Sequence, residues 1–148
     1  FLETIVPSTI RVATNFQPLP AIFADPTQIH QVVTNLLANA VQAIGNSIGT
    51  IAVTVRAITE ASIRPEICLS IHDSGTGIDE ATRERIFEPF FTTKPVGVGS
   101  GLGLSIVHGI VMGHGGRIDV TSQPGKGTQF DICFPAIARE DAASRPAA

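Results

Sequence analysis

Asn35 and Asn39 stand four residues apart in a run whose apolar residues recur at helical spacing, so their side chains share one helix face, a turn apart. Asparagine inside a helix costs roughly half a kcal/mol against alanine, so two of them there call for a use. A wet polar face is one use. The other is chemical, because a carboxamide oxygen is a hard, neutral ligand that suits Mg²⁺. Farther on, Asp73-Ser74-Gly75-Thr76-Gly77 sets an acid before two glycines at alternate positions. Such a segment is either a turn or a bend around a flat ring, with Asp73 accepting a hydrogen bond from an exocyclic amine such as adenine N6. Gly97, Gly99, Gly101 and Gly103 then alternate, with Ser100 and Leu102 between the last three, and open into a helical pattern. The free N–H groups and positive dipole end of a helix start suit phosphate; a flexible loop before a buried helix is the plain alternative. Lys94 is a serviceable point charge for phosphate, though one lysine alone specifies little. Thr128 opens a strand where its hydroxyl either faces a pocket or merely favours the strand.

The elements that must position these residues are legible in order. Asp25-Pro26-Thr27-Gln28 starts a helix: Asp25 caps, Pro26 fits the first helical position, and Gln28 can reach back as in a capping box. That helix runs to about Ile44 on a buried side that includes Val32, Leu36, Leu37 and Ala40, and Gly45-Asn46 breaks it. Residues 50–57 and 67–72 alternate as strands of an antiparallel hairpin that delivers Asp73, with a polar connection between them. Residues 118–121 and 129–134 make two more strands about a turn at Gln123-Pro124-Gly125-Lys126-Gly127, and residues 1–17 contribute an edge strand. Asp79 caps a short helix through Ile86. The following Phe87-Glu88-Pro89-Phe90-Phe91-Thr92-Thr93-Lys94-Pro95 is either a loop pinned to the core or a lid, hinged by its phenylalanines, that carries Lys94. Leu104, Val107, Ile110 and Val111 stripe the glycine-led helix, which Gly113 ends. Residues 1–135 read as one domain and 136–148 as a frayed tail or linker.

At 148 residues and 43% hydrophobic the chain can bury one sizeable core. A formal net charge of -3, with ten scattered Lys and Arg, argues against a nucleic-acid surface. No apolar run reaches the roughly 18 residues of a membrane span, so direct membrane contact is not expected. Cys68 and Cys133 sit singly in strand-like stretches without metal-site spacing. They read as two free, buried thiols in a cytoplasmic, reducing compartment, with a disulfide as the alternative.

Taken in order, the asparagine helix, DSGTG, FEPFFTTK, GVGSGLGLSIV and the GKGT turn resemble the ATP-binding domain of bacterial sensor histidine kinases, within the group that also holds gyrase, heat-shock chaperone and MutL-type ATPases. The likeness covers roughly residues 5 to 135. It implies an α/β (α+β) two-layer sandwich: a mixed, largely antiparallel sheet with helices on one face and ATP under a mobile lid. By the resemblance, Asn39 would ligate Mg²⁺ and Asn35 would lie near phosphates or metal. Asp73 would bind the adenine amine, with Gly75 and Gly77 letting the base approach and Thr128 beside Asp73. Lys94 would ride on the lid, supported by Phe87, Phe90 and Phe91. Ser100, Gly101, Leu102 and Gly103 would shape the phosphate loop.

Hydrolytic relatives place a glutamate, the base that activates water, one turn before the metal-binding asparagine; here that position is Asn35, and an amide takes no proton at neutral pH. The resemblance therefore implies a domain that spares ATP from water and donates its γ-phosphoryl to a histidine on a separate dimeric helical hairpin of the same full-length protein, with a response regulator downstream. None of His30, His72, His108 and His114 reads as that acceptor, so this chain alone is not expected to phosphorylate itself. A serine kinase of the anti-sigma type and a non-catalytic nucleotide sensor are the competing readings.

Overall fold

The computed structural model describes residues 2–60 and 64–137. The elements run α1 (Leu2–Ile5), β1 (Ile10–Phe16), α2 (Pro26–Ile44), β2 (Gly49–Ile58), β3 (Glu66–Asp73), α3 (Glu80–Arg83), α4 (Gly103–Gly113), β4 (Arg117–Ser122) and β5 (Thr128–Pro135). The one-turn α1 was not anticipated from the sequence.

The five strands form one sheet in the order β1-β2-β3-β5-β4. β1 pairs parallel to β2, from Ile10 opposite Gly49 to Phe16 opposite Val55, and every other pairing is antiparallel. The parallel pair needs a crossover, and α2 supplies it. Strand alternation sends Ile51, Val53, Ile71, Phe130, Ile132 and Phe134 to one face, where they meet Val32, Leu36, Leu37, Ala40 and Ile44 of α2 and Val107 and Val111 of α4 in a single core. Helices on one face of a mixed, largely antiparallel sheet are the two-layer sandwich expected above.

α2 begins where its sequence says it should. Asp25 is extended (φ −76°, ψ 116°) and its Oδ1 accepts from the N–H groups of Thr27 (2.8 Å) and Gln28 (3.4 Å), with Pro26 in the first turn. The reciprocal half of the capping box is replaced, however. The Asp25 N–H, which that reading gave to Gln28, donates to Nε2 of His114 at 3.2 Å.

The two cysteines correct the expectation of free thiols. Cys68 and Cys133 face each other in the β3–β5 register, with Cα atoms 4.1 Å apart, and are joined as a disulfide. Both are buried. Strand pairing brings together residues 65 apart in sequence, and spacing alone cannot show it. In the chain-entropy view a loop of that length stabilises the fold by about 4 kcal/mol. Adding a dithiol reductant is therefore expected to lower the urea midpoint of unfolding markedly, and Cys68→Ser together with Cys133→Ser should reproduce the drop. An unchanged midpoint on reduction would contradict this contribution.

Ordered pairing continues two residues past the expected domain boundary. The Ala136 N–H donates to the Pro65 carbonyl and the Ile137 N–H to that of Ala21, both at 2.8 Å. The rest of the expected tail, from residue 138, and residues 61–63 of the β2–β3 connection lie outside the described residues. None of the described helices is long and apolar enough to cross a membrane.

Candidate active site

A cavity of about 310 Å³ opens between α2, the start of α4, the residues that join α3 to α4, and the end of β3. Of the residues singled out by sequence, Asn35, Asn39, Asp73, Lys94, Ser100, Gly101 and Gly103 line it together. Gly75, Gly77, Leu102 and Thr128 do not. Ile78, Ile86, Phe91, Leu104 and Phe130 supply apolar wall, and Gln42 and Thr82 further polar groups.

α2 presents its amides because its apolar stripe is anchored in the core, which leaves the opposite face to the cavity. Nδ2 of Asn35 donates to the Gly103 carbonyl at 3.4 Å, tying α2 to the first turn of α4. Nδ2 of Asn39 is buried without a hydrogen-bond partner among the described residues. An unpaired buried polar atom costs about 1–3 kcal/mol and is rare in a folded core.

Asp73 ends β3 with only 3% of its surface exposed. Its Oδ1 accepts from the Gly75 N–H at 2.8 Å. Burial pushes its pKa above the ordinary aspartate value, while the backbone N–H groups of Gly75 and Thr128 and the nearby His72 pull it back. Thr128 lies opposite Asp73 in the β3–β5 register, and its hydroxyl shares a 2.9 Å hydrogen bond with that of Ser122. Thr128 therefore braces Asp73 from behind. The glycines after Asp73 are needed for contact with protein: a Cβ on Gly75 would lie 2.6 Å from the Ala43 carbonyl carbon, and one on Gly77 2.1 Å from the Gln123 oxygen. They let the 74–77 segment dock on α2 and on the β4–β5 turn, fixing the direction in which Asp73 points.

On the opposite wall, the residues between α3 and α4 are held at their base. Phe87 packs its ring on His108 (5.3 Å between centroids), and the Arg85 guanidinium covers the Phe91 ring at 4.4 Å. Phe90 points outward, 75% exposed, with a left-handed backbone (φ 65°). Its N–H donates to the Gly101 carbonyl at 2.9 Å. Gly101 is itself left-handed (φ 67°), and a Cβ there would stand 2.5 Å from the Phe90 carbonyl carbon. Gly101→Ala is thus expected to cost about 1–3 kcal/mol of stability and to spread this crossing point. A nucleotide titration beside urea unfolding should show affinity falling with it, and an alanine variant that matches the parent in both would refute the packing argument. Leu102 precedes α4, and its N–H donates to the Ser100 hydroxyl at 3.3 Å.

Lys94 reaches over Gly99 and makes no ion pair among the described residues. Burial depresses its pKa, as expected for an ammonium without a counter-ion. The site thus offers a buried acceptor on the sheet side and an unmatched cation beside a helix N-terminus on the loop side. Among the described residues Asp73 is the only carboxylate lining the cavity, and no histidine lines it. One other cluster, Glu66 with Cys68 and Cys133, has ligand-like spacing, but its sulfurs are joined to each other and Glu66 is paired with Arg117. Ile78, Thr82 and Phe130 were not anticipated as lining residues; they come from the segment after β3, from α3 and from β5.

Comparison with known proteins agrees with this fold. Residues 24–138 match the family described as histidine kinase-, DNA gyrase B-, and HSP90-like ATPases. The chain is 48% identical over 124 residues to the sensor histidine kinase ZraS of Escherichia coli (strain K12), a match covering 83% of this chain and 25% of that protein. It therefore spans about a quarter of the length of that relative. Among solved structures it is similar to the mycobacterial sensor histidine kinase MprB (TM-score 0.73, 32% identity, 87% of this chain and 83% of that one). It is likewise similar to the catalytic domain of histidine kinase ThkA (TM-score 0.73, 33% identity, 91% and 82%). The chain belongs to the histidine kinase-type ATPase family, as a catalytic domain of the sensor histidine kinase branch.

Proposed function

We propose that this domain, residues 1–135, binds Mg²⁺–ATP in the cavity between α2 and α4 and donates the γ-phosphoryl group to a histidine on a dimeric helical hairpin of the full-length protein, from which a response regulator receives it. The observation that carries this reading is the polarity of one cavity: a buried carboxylate on one wall, an unpaired ammonium and a helix N-terminus on another, and apolar side chains between. That is the complement of a nucleoside triphosphate.

Asp73 accepts from the adenine amine, held in place by the Gly75 N–H and backed by Thr128. Ile78 and Phe130 give the cavity apolar surface on which a flat base can pack. Ser100, Gly101 and Gly103 present hydroxyl and backbone groups to the phosphates, and Lys94 adds charge that no ion pair among the described residues neutralises. The donor set fits Mg²⁺, since Nδ2 of Asn39 is buried without a partner among the described residues and a carboxamide needs only to turn about its last torsion to offer oxygen in place of nitrogen. Asn39 would hold the metal with Asn35 close by. When bound, the ion neutralises phosphate charge.

Transfer in place of hydrolysis follows from the chain's own residues. Asn35 is engaged with the Gly103 carbonyl and takes no proton, and Asp73, the one lining carboxylate among the described residues, is committed on the sheet side. Among the described residues no lining group on the phosphate side can activate water. Catalysis then rests on positioning and charge, as phosphoryl transfer allows.

The test joins the chain to a helical hairpin bearing the acceptor histidine and supplies γ-labelled ATP with Mg²⁺. Acid-labile, base-stable label on protein is the expected result. Nucleotide binding without such label would favour a non-catalytic sensor, and acid-stable label on a partner would favour a serine kinase.

A further inference from the structure

His114, just past the C-terminal end of α4, makes contacts that the reading above does not use. Its Nδ1 lies 2.7 Å from the Ile110 carbonyl, and its Nε2 receives the Asp25 backbone N–H at 3.2 Å, from a residue 89 positions away. Its ring stands edge-on to Phe134 of β5, 6.1 Å between centroids at 83°. The two bonds fix the protonation pattern by elimination. Nε2 accepts an N–H and so is bare, and Nδ1 carries the hydrogen it donates to Ile110.

Asp25 is the cap of α2. The ring therefore joins the last turn of α4 to the first turn of α2. At the other end of the same pair, Asn35 Nδ2 meets the Gly103 carbonyl in the first turn of α4. The helices run antiparallel, and at about 1.5 Å per residue each spans about 15–17 Å between the two ties. Two ties that far apart fix the axial register of α2 against α4, which apolar ridges alone would let slide in small steps. That register sets Asn39, one turn beyond Asn35, against the Ser100–Gly103 segment.

We propose that His114, in its Nδ1-protonated form, is a positioning residue that holds the amide-bearing face of α2 in register with the phosphate-binding start of α4. It touches neither nucleotide nor metal. The proposal rests on the cavity being the nucleotide site, and its test separates the two.

Three chains are compared: the parent, His114→Ala, and His114→Gln, whose side-chain oxygen can return an acceptor near the Nε2 position. Ring ¹⁵N spectra of the parent should show Nδ1 protonated and Nε2 bare. The Asn35 side-chain amide signals, read without nucleotide, should move in His114→Ala and return towards the parent in His114→Gln. Affinity for a non-hydrolysable Mg²⁺–ATP analogue should fall about three- to tenfold in the alanine variant, the loss of one hydrogen bond's worth of register, and largely recover in the glutamine variant. Urea midpoints identify the conditions in which all three are folded. An Nε2-protonated ring, or an alanine variant with the parent's Asn35 signals, overturns the proposal. A parent that fails to bind the analogue at all sinks the nucleotide reading instead, while the Asn35 signals still decide the register.

Discussion

Asp73→Asn is expected to weaken ATP binding by about 10- to 100-fold while leaving the nucleotide-free fold as stable as the parent at neutral pH, or more so. The affinity loss follows from what the amide offers. Its oxygen can still take the Gly75 N–H, which turns its NH₂ towards the adenine amine, donor against donor; losing a hydrogen bond to a charged group is worth about 1.5–3 kcal/mol. The stability outcome follows from burial. Desolvation raises the Asp73 pKa above its unfolded value, and only part of that is recovered from Gly75, Thr128 and His72. A carboxyl raised in this way contributes stability below its unfolded pKa and loses it as pH rises through its folded one, so at neutral pH the ionised group is a net burden that asparagine removes. The same shift predicts that ATP affinity declines on acidification at a higher pH than an exposed aspartate would produce, because the protonated acid is a poorer acceptor. Titrating parent and variant across pH isolates this from protonation of the phosphates. Equal affinities of the parent for ATP and GTP, or an unaffected variant, would contradict the adenine role.

Asn39→Ala should remove the Mg²⁺ dependence of ATP binding, with a loss of about tenfold or more at saturating metal, and again without harm to the free domain. In the absence of nucleotide Nδ2 of Asn39 is buried without a partner among the described residues, and alanine is the better helix former by roughly half a kcal/mol. Calorimetric titrations with and without Mg²⁺ give the affinity, and urea unfolding the stability. Parent-like metal dependence in the variant would remove Asn39 from the ligand set. Both substitutions make one point: the groups proposed to bind ligand here are those the free fold would be better off without, which is how a site differs from a core.

Much of this was legible because it is local. Asp25 and Pro26 set the start of α2 and Ile44 with Gly45 its end, within the span observed. Period-two alternation in residues 50–57 and 67–72 foretold the hairpin that delivers Asp73. What stayed hidden depends on register between distant segments. Cys68 meets Cys133 only once β3 and β5 pair. The Asp25 N–H finds His114 because two helices lie antiparallel, where sequence proximity pointed to Gln28. Gly75 and Gly77 were legible as special positions but not for their reason, since Ala43 and Gln123, which crowd them, are far off in sequence. Phe90 was read with its neighbours as one apolar block, yet its left-handed backbone turns it outward while Phe87 and Phe91 are held inside.

The central claim, that the cavity between α2 and α4 is where Mg²⁺–ATP sits, is tested most directly by titrating the isotope-labelled chain with a non-hydrolysable ATP analogue and Mg²⁺ and mapping the amide shifts. The account predicts saturable changes centred on Asn39, Asp73, Lys94 and the Ser100–Gly103 segment, with the opposite face of the sheet, around Ser70 and Asp131, unmoved. Saturable binding whose shifts lie elsewhere, or none at millimolar nucleotide, would contradict it.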